Sequence, residues 1–152
     1  MQRCGQRYKK IIKKKTGLIV DAYFSASKMK WMLENSEKVR TLNSENNLCF
    51  GTIDSFLLFK LTNGKVFATD VTNASRTMLF NINTLSWDSE LLKVFGIKLE
   101  SLPKVVSNSE ILGMAKTAIG EIPIASMIGD QQSALFGQGC FYEGMAKDTF
   151  GT

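Results

Sequence analysis

Histidine is absent from the 152 residues, and proline occurs only twice. Without histidine the chain builds neither a Ser-His-Asp nor a Cys-His nucleophile system, and no histidine-ligated metal site. Acid and base chemistry must therefore rest on carboxylates, lysine or tyrosine. Three cysteines, Cys4, Cys49 and Cys140, are odd in number and widely spaced, so they frame neither a disulfide scaffold nor paired zinc ligands. A reducing cytoplasm is the expected compartment. No apolar run approaches the roughly 18 residues of a membrane span, and the basic N-terminus lacks the apolar stretch and cleavage site of a signal peptide. Neither membrane insertion nor export is expected. Phosphate-binding signatures are missing too: there is no Gly-x-x-x-x-Gly-Lys-Ser/Thr loop and no Gly-x-Gly-x-x-Gly, and Gly137-Gln138-Gly139 reads as turn residues.

What is present suits a packed domain. Hydrophobic residues make up 44% and charged residues 22%, close to ordinary globular usage and far from that of disordered chains. The net charge of +5 is uneven. Seven cations (Arg3, Arg7, Lys9, Lys10, Lys13, Lys14, Lys15) precede the first acid, Asp21, and the remaining 12 cations face 14 acids, a balance of −2. A single basic tract without aromatic interleaving beyond Tyr8 reads as a solvated helix face, with a nucleic-acid or anionic-surface module as the alternative. No nucleic-acid partner is expected.

Local patterns predict an alternation of helices and strands without repeats, a mixed α/β layer fold. Residues 6–15 read as a basic helix ended at Thr16-Gly17. Ser25 is the expected cap of a helix over 26–35, and Ser36 the cap of the next. Gly51-Thr52 opens a helix so apolar (Ile53, Phe56, Leu57, Leu58, Phe59, Leu61) that burial on most sides is expected. Strands are expected over 65–69, 78–82, 110–116, 122–128 and 146–150, with helices over 89–95, capped by Asp88 and stopped at Gly96, and over 131–138.

Chemistry is best sought where Ile124–Ile128 runs into Gly129-Asp130. Ligands of open α/β sheets gather beyond the carboxyl ends of strands, so Asp130 is placed to face a cleft. The bare pattern on its own favours an Asp130 that only caps the helix. Tyr23, in the polar segment 21–25 between two helices, offers a ring and a hydroxyl suited to a polyol, or is an ordinary half-buried loop tyrosine. Asp70 and Arg76 flank Asn73-Ala74-Ser75, which reads as a hydrogen-bonded corner.

One segment is more specific. Tyr23-Phe24-Ser25-Ala26-Ser27-Lys28-Met29-Lys30-Trp31-Met32-Leu33-Glu34-Asn35 resembles the signature of the FGGY carbohydrate kinases. Within that family, Phe50-Gly51-Thr52-Ile53-Asp54-Ser55, Thr69–Ile82, Gly129–Gln138, Glu143-Gly144-Met145-Ala146-Lys147 and Thr149-Phe150-Gly151-Thr152 resemble the branch that phosphorylates glycerol. Another sugar or polyol kinase of the family is the alternative, disfavoured by Gly-Asp-Gln-Gln and Thr-Asn-Ala-Ser-Arg-Thr. The resemblance implies a ribonuclease H-like, actin-like α/β fold in two domains. It implies transfer of the γ-phosphoryl group of ATP, with Mg2+, to glycerol, and homo-oligomers of the complete enzyme. It further implies Asp130 as the catalytic base, Tyr23, Asp130 and Gln131 as glycerol contacts, and Thr152 in the turn that touches the nucleotide phosphates. On the same grounds residues 1–5 stay unassigned, 6–144 form part of the first domain and 145–152 open the second. The family's first phosphate-binding hairpin and most of its adenine-binding domain find no counterpart here. The chain is thus expected to be an internal fragment, inactive alone.

Overall fold

A computed structural model describes residues 6–151. Helix α1 (Gln6–Thr16) forms as its spacing predicts: Ile12 is fully buried, while Lys9, Lys10, Lys13 and Lys14 stay exposed as a solvated face. The Thr16 hydroxyl donates to the Ile12 carbonyl, and Gly17 ends the helix at φ +72°, the left-handed conformation that glycine adopts without a Cβ penalty. Helices α2 (Ser25–Asn35) and α3 (Glu37–Ser44) follow, with Ser36 Oγ accepting from the Val39 amide at the start of α3 as expected. Ser25 is not the cap of α2. It is the first helical residue, Phe24 stands at the cap without a side-chain bond, and the nearby Ser27 hydroxyl turns back to the Phe24 carbonyl.

Helix α4 (Ile53–Leu61) departs furthest from expectation. Only Ser55 and Leu58 are buried, whereas Ile53, Phe56 and Leu57 are 70%, 54% and 50% exposed. The helix is apolar on all sides, but the described residues supply a partner on only one. Leu58 packs with Ala68 and Leu112 in a small cluster joined by Val66, Val106, Ile124 and Met127.

Strand β1 (Ala68–Asp70), shorter and later than the run 65–69 suggested, feeds the four-residue helix α5 (Val71–Ala74). Strands β2 (Phe80–Asn81) and β3 (Ser86–Trp87) form an antiparallel hairpin, of which only the first strand was legible as an apolar run. Phe80 and Trp87 meet edge to face with centroids 6.0 Å apart, and the indole N–H donates to the Pro103 carbonyl. Helix α6 (Ser89–Phe95) starts at Asp88 and stops at Gly96, φ +70°, as its sequence dictates. After a 3-10 turn at Leu99–Ser101, strand β4 (Lys104–Val106) pairs in parallel with β1. Strands β5 (Ser109–Thr117) and β6 (Gly120–Ser126) form a second antiparallel hairpin, and helix α7 (Asp130–Gly137) follows it. A Cβ on Gly113 of β5 would lie 2.7 Å from Thr62 Cγ2, so the hairpin approaches the end of α4 only because that residue is glycine. The strand expected over 146–150 does not form among the described residues, where that segment has no pairing partner.

The main core lies between α1, α2, α6 and the segment leading into β2, with Ile12, Met78, Leu79 and Leu91 at 0% exposure. Burying each such side chain contributes about 1.5–3 kcal/mol. Asp88 ties this core together. Its Oδ1 accepts from the Glu90 and Leu91 amides at 3.0 and 3.1 Å and from Lys15 Nζ at 2.8 Å, and its Oδ2 accepts from Asn81 Nδ2 at 2.9 Å. Burial opposes the Asp88 charge, but the Lys15, Asn81 and Leu91 donors outweigh it and hold the carboxyl below its ordinary value. The carboxylates of Asp88 and Glu90 raise Lys15 in turn.

These shifts set the pH window. The Asp88 contribution should be present above its unfolded value near 3.8 and vanish as pH falls through the depressed folded value. The Lys15 contribution should be present below 10.5 and vanish as pH rises through the raised folded value. Urea unfolding across pH checks both arms, with a plateau expected between them. Asp88→Ala should lower the unfolding free energy by about 1–3 kcal/mol and flatten the acid arm.

Candidate functional site

Asp70 is the last residue of β1, has no exposed surface, and opens α5 as its cap. Its carboxylate accepts from the backbone and side chain of Thr72, from the backbone and side chain of Asn73, and from Asn108 Nδ2. The hydrogen-bonded corner read from the sequence is therefore real. Two of its members reach further. Asn108 Nδ2 also donates to the Met127 carbonyl at 3.0 Å, and Thr72 Oγ1 accepts from the Gly129 amide at 2.7 Å. A buried acid in one part of the chain thus fixes where β6 ends and α7 begins.

Asp130 is carried by that junction. It is the first residue of α7 rather than its cap, a position held by Gly129, and its carboxylate makes no capping bond. The cap-only reading thereby loses its geometric basis. The residue is exposed, and the helix dipole favours a negative charge at this end. Its one hydrogen bond among the described residues comes from Gln131 Nε2 to Oδ2 at 3.3 Å. Gln131 Oε1 accepts from Lys147 Nζ at 2.8 Å and from Thr149 Oγ1 at 3.1 Å. Gln131, Lys147 and Thr149 line an open hollow of about 450 Å³ together with Gln132, Leu135 and Asp148.

Tyr23 stands apart, 72% exposed rather than half-buried. Its amide donates to Asp21 Oδ1 at 2.7 Å, its ring meets Phe24 edge to face, and Lys28 Nζ donates to its carbonyl and lies 5.8 Å from the ring centroid. It forms no hydrogen bond with Asp130 or Gln131 among the described residues. Thr152 lies outside the described residues. Sequence reasoning missed Thr72, Asn108, Lys147 and Thr149. Asp70-x-Thr72 carried a usable signal, since an acid before a short polar run is a helix-cap pattern, but nothing local tied Asn108 or Lys147 to the site. No group of three histidine, cysteine or acidic side chains that could hold a metal ion occurs among the described residues, and no helix among them is long and apolar enough to cross a membrane.

A sequence profile of the FGGY family of carbohydrate kinases, N-terminal domain, matches residues 2–137. The chain belongs to that family. It is 54% identical over 148 residues to a glycerol kinase of Xanthomonas euvesicatoria pv. vesicatoria, covering 95% of this chain and 30% of the relative. A glycerol kinase of Chromobacterium violaceum is 56% identical over 144 residues, covering 93% and 29%. Among solved structures, Plasmodium falciparum glycerol kinase with ADP superposes with a TM-score of 0.85 at 42% identity, covering 90% of this chain and 28% of that one. A xylulose kinase of Rhodospirillum rubrum, at 14% identity and a TM-score of 0.75, shares the fold alone. The partial ribonuclease H-like, actin-like α/β fold expected from the resemblance is thus present. The chain spans about 30% of the length of the curated relatives it matches.

The Thr72 bridge is directly testable. Thr72→Val removes the acceptor of the Gly129 amide and a donor to Asp70, which should destabilise the fold by about 1–3 kcal/mol. Amide hydrogen exchange should accelerate at Gly129 more than at Leu91 in the distant core. Thr72→Ser should restore protection.

Proposed function

We propose that this chain is a substrate-side portion of a glycerol kinase, in which Asp130 accepts the proton of the attacking glycerol hydroxyl. The supporting observation is the Asp130 carboxylate itself. It is held at the start of α7 by the Asp70–Thr72–Gly129 bridge, bonded through Oδ2 only, and left with Oδ1 available among the described residues. In the proposed reaction a glycerol oxygen forms a bond to the γ-phosphorus of ATP, the bond from that phosphorus to the bridging oxygen breaks to release ADP, and the hydroxyl proton passes to Asp130. Phosphoryl transfer rests on positioning and charge stabilisation rather than on a nucleophilic side chain, so a chain without histidine is chemically adequate.

Gln131 and Tyr23 are assigned to glycerol on the family resemblance, and Thr152 to the nucleotide phosphates. Mg2+ would neutralise phosphate charge when bound with ATP, and the described residues assemble no group of three acidic side chains to hold it. The division at residue 145 and self-association of the complete enzyme go with this reading through the resemblance, and a cytoplasmic location goes with it through the cysteine usage. Most of the nucleotide-holding elements of the relatives have no counterpart in this sequence, so the chain alone should show no ATP-dependent phosphorylation of glycerol.

The test places residues 6–151 in the corresponding position of the Xanthomonas relative. The chimera should phosphorylate glycerol, and Asp130→Asn should lower kcat roughly 10²- to 10⁴-fold with the fold retained by circular dichroism. Wild-type turnover in that variant would remove the assignment. Tyr23→Phe should instead raise the glycerol KM roughly 5-fold, the loss of about one hydrogen bond, with little change in kcat.

A further inference from the structure

Gln131 sits between two groups that make opposite demands on an amide. The Lys147 ammonium has three donors and no acceptor, and an ionised carboxylate has only acceptors. The atom facing Lys147 must therefore be the amide oxygen, which leaves the nitrogen facing Asp130, and both contacts are made that way. Rotating the amide by half a turn would oppose donor to donor at Lys147 and acceptor to acceptor at Asp130. Thr149, two residues along, donates to the same oxygen and strengthens the preference. Lys147 forms no ion pair among the described residues, although Lys15, Lys30 and Lys116 do. Among the described residues its ammonium donates only to Gln131.

We propose that Lys147 and Thr149 are positioning residues for the base. They lock the Gln131 amide so that one N–H donates to Asp130 Oδ2, which holds Oδ1 toward the substrate hydroxyl and leaves the second N–H to meet a substrate oxygen. Lys147 acts through Gln131 and does not itself touch the reacting atoms. The inference rests on the reading of Asp130 as the base, and it extends the candidate site into the segment beyond the last helix.

Two measurements test it separately. In the 15N-labelled 152-residue chain, the side-chain amide protons of Gln131 should resonate away from those of a free glutamine. Lys147→Met should move them to the free position, and Lys147→Arg, which keeps the donor, should not. In the chimera, Lys147→Met should lower kcat roughly tenfold while glycerol KM changes less, with Lys147→Arg restoring most of the rate. Added to Asp130→Asn, Lys147→Met should cost no further rate, because its effect passes through that carboxylate. Unchanged Gln131 signals in Lys147→Met would overturn the inference. So would a wild-type kcat in Lys147→Met where Asp130→Asn is impaired, an outcome that leaves Asp130 as the base. A wild-type kcat in Asp130→Asn would remove the base and this inference with it.

Discussion

A carboxylate without exposed surface must be surrounded by donors, because a buried charge left unmatched costs several kcal/mol. Asp70 meets that demand by collecting donors from two separate segments: Thr72 and Asn73 just after it, and Asn108 just beyond β4. Its partners are then spent a second time. Asn108 holds the Met127 carbonyl and Thr72 holds the Gly129 amide, so the requirement to satisfy one acid becomes a constraint on where α7 begins. The candidate base at Asp130 takes its position from this network and from the small apolar cluster that Ile124 and Met127 join, not from the main core.

The core performs a different task. Ile12, Met78, Leu79 and Leu91 bind α1, the β2 hairpin and α6 into one unit, and Asp88 stitches the same elements with Lys15 and Asn81. Met78 adopts φ +63° although it is fully buried and bears a long side chain. That conformation costs about 1–3 kcal/mol and persists because packing leaves no alternative. Helix α4, by contrast, keeps much of its apolar surface open, with Asp54 Oδ1 and Ser55 Oγ buried and without partners among the described residues.

Helix α6 shows how far local chemistry reaches. Asp88 before it and Gly96 after it are a capping acid and a left-handed stop, and both act within a few residues of themselves. The two-residue strand β3 left no such trace, because its pairing with Phe80 is decided across a turn and not by a run of β-branched residues. Asp130 was singled out by its place at a strand-to-helix junction, and its role by resemblance. Lys147 lay in a matching segment but had no role assigned, since it is sixteen positions from Gln131 and nothing local ties the two together.

Residue order by itself determined the helices that carry their own caps and spacing, the absence of histidine chemistry, and the segments shared with FGGY kinases. Those properties depend on interactions within one or two turns, or on identity at fixed positions. Only the tertiary structure decided that Asp130 follows a glycine cap, that a threonine bridge anchors it, that α4 lies open, and that an ammonium orients the amide beside it. Each of these turns on which distant groups arrive at the same place, and hydrogen bonds and burial depend on that arrival rather than on residue type.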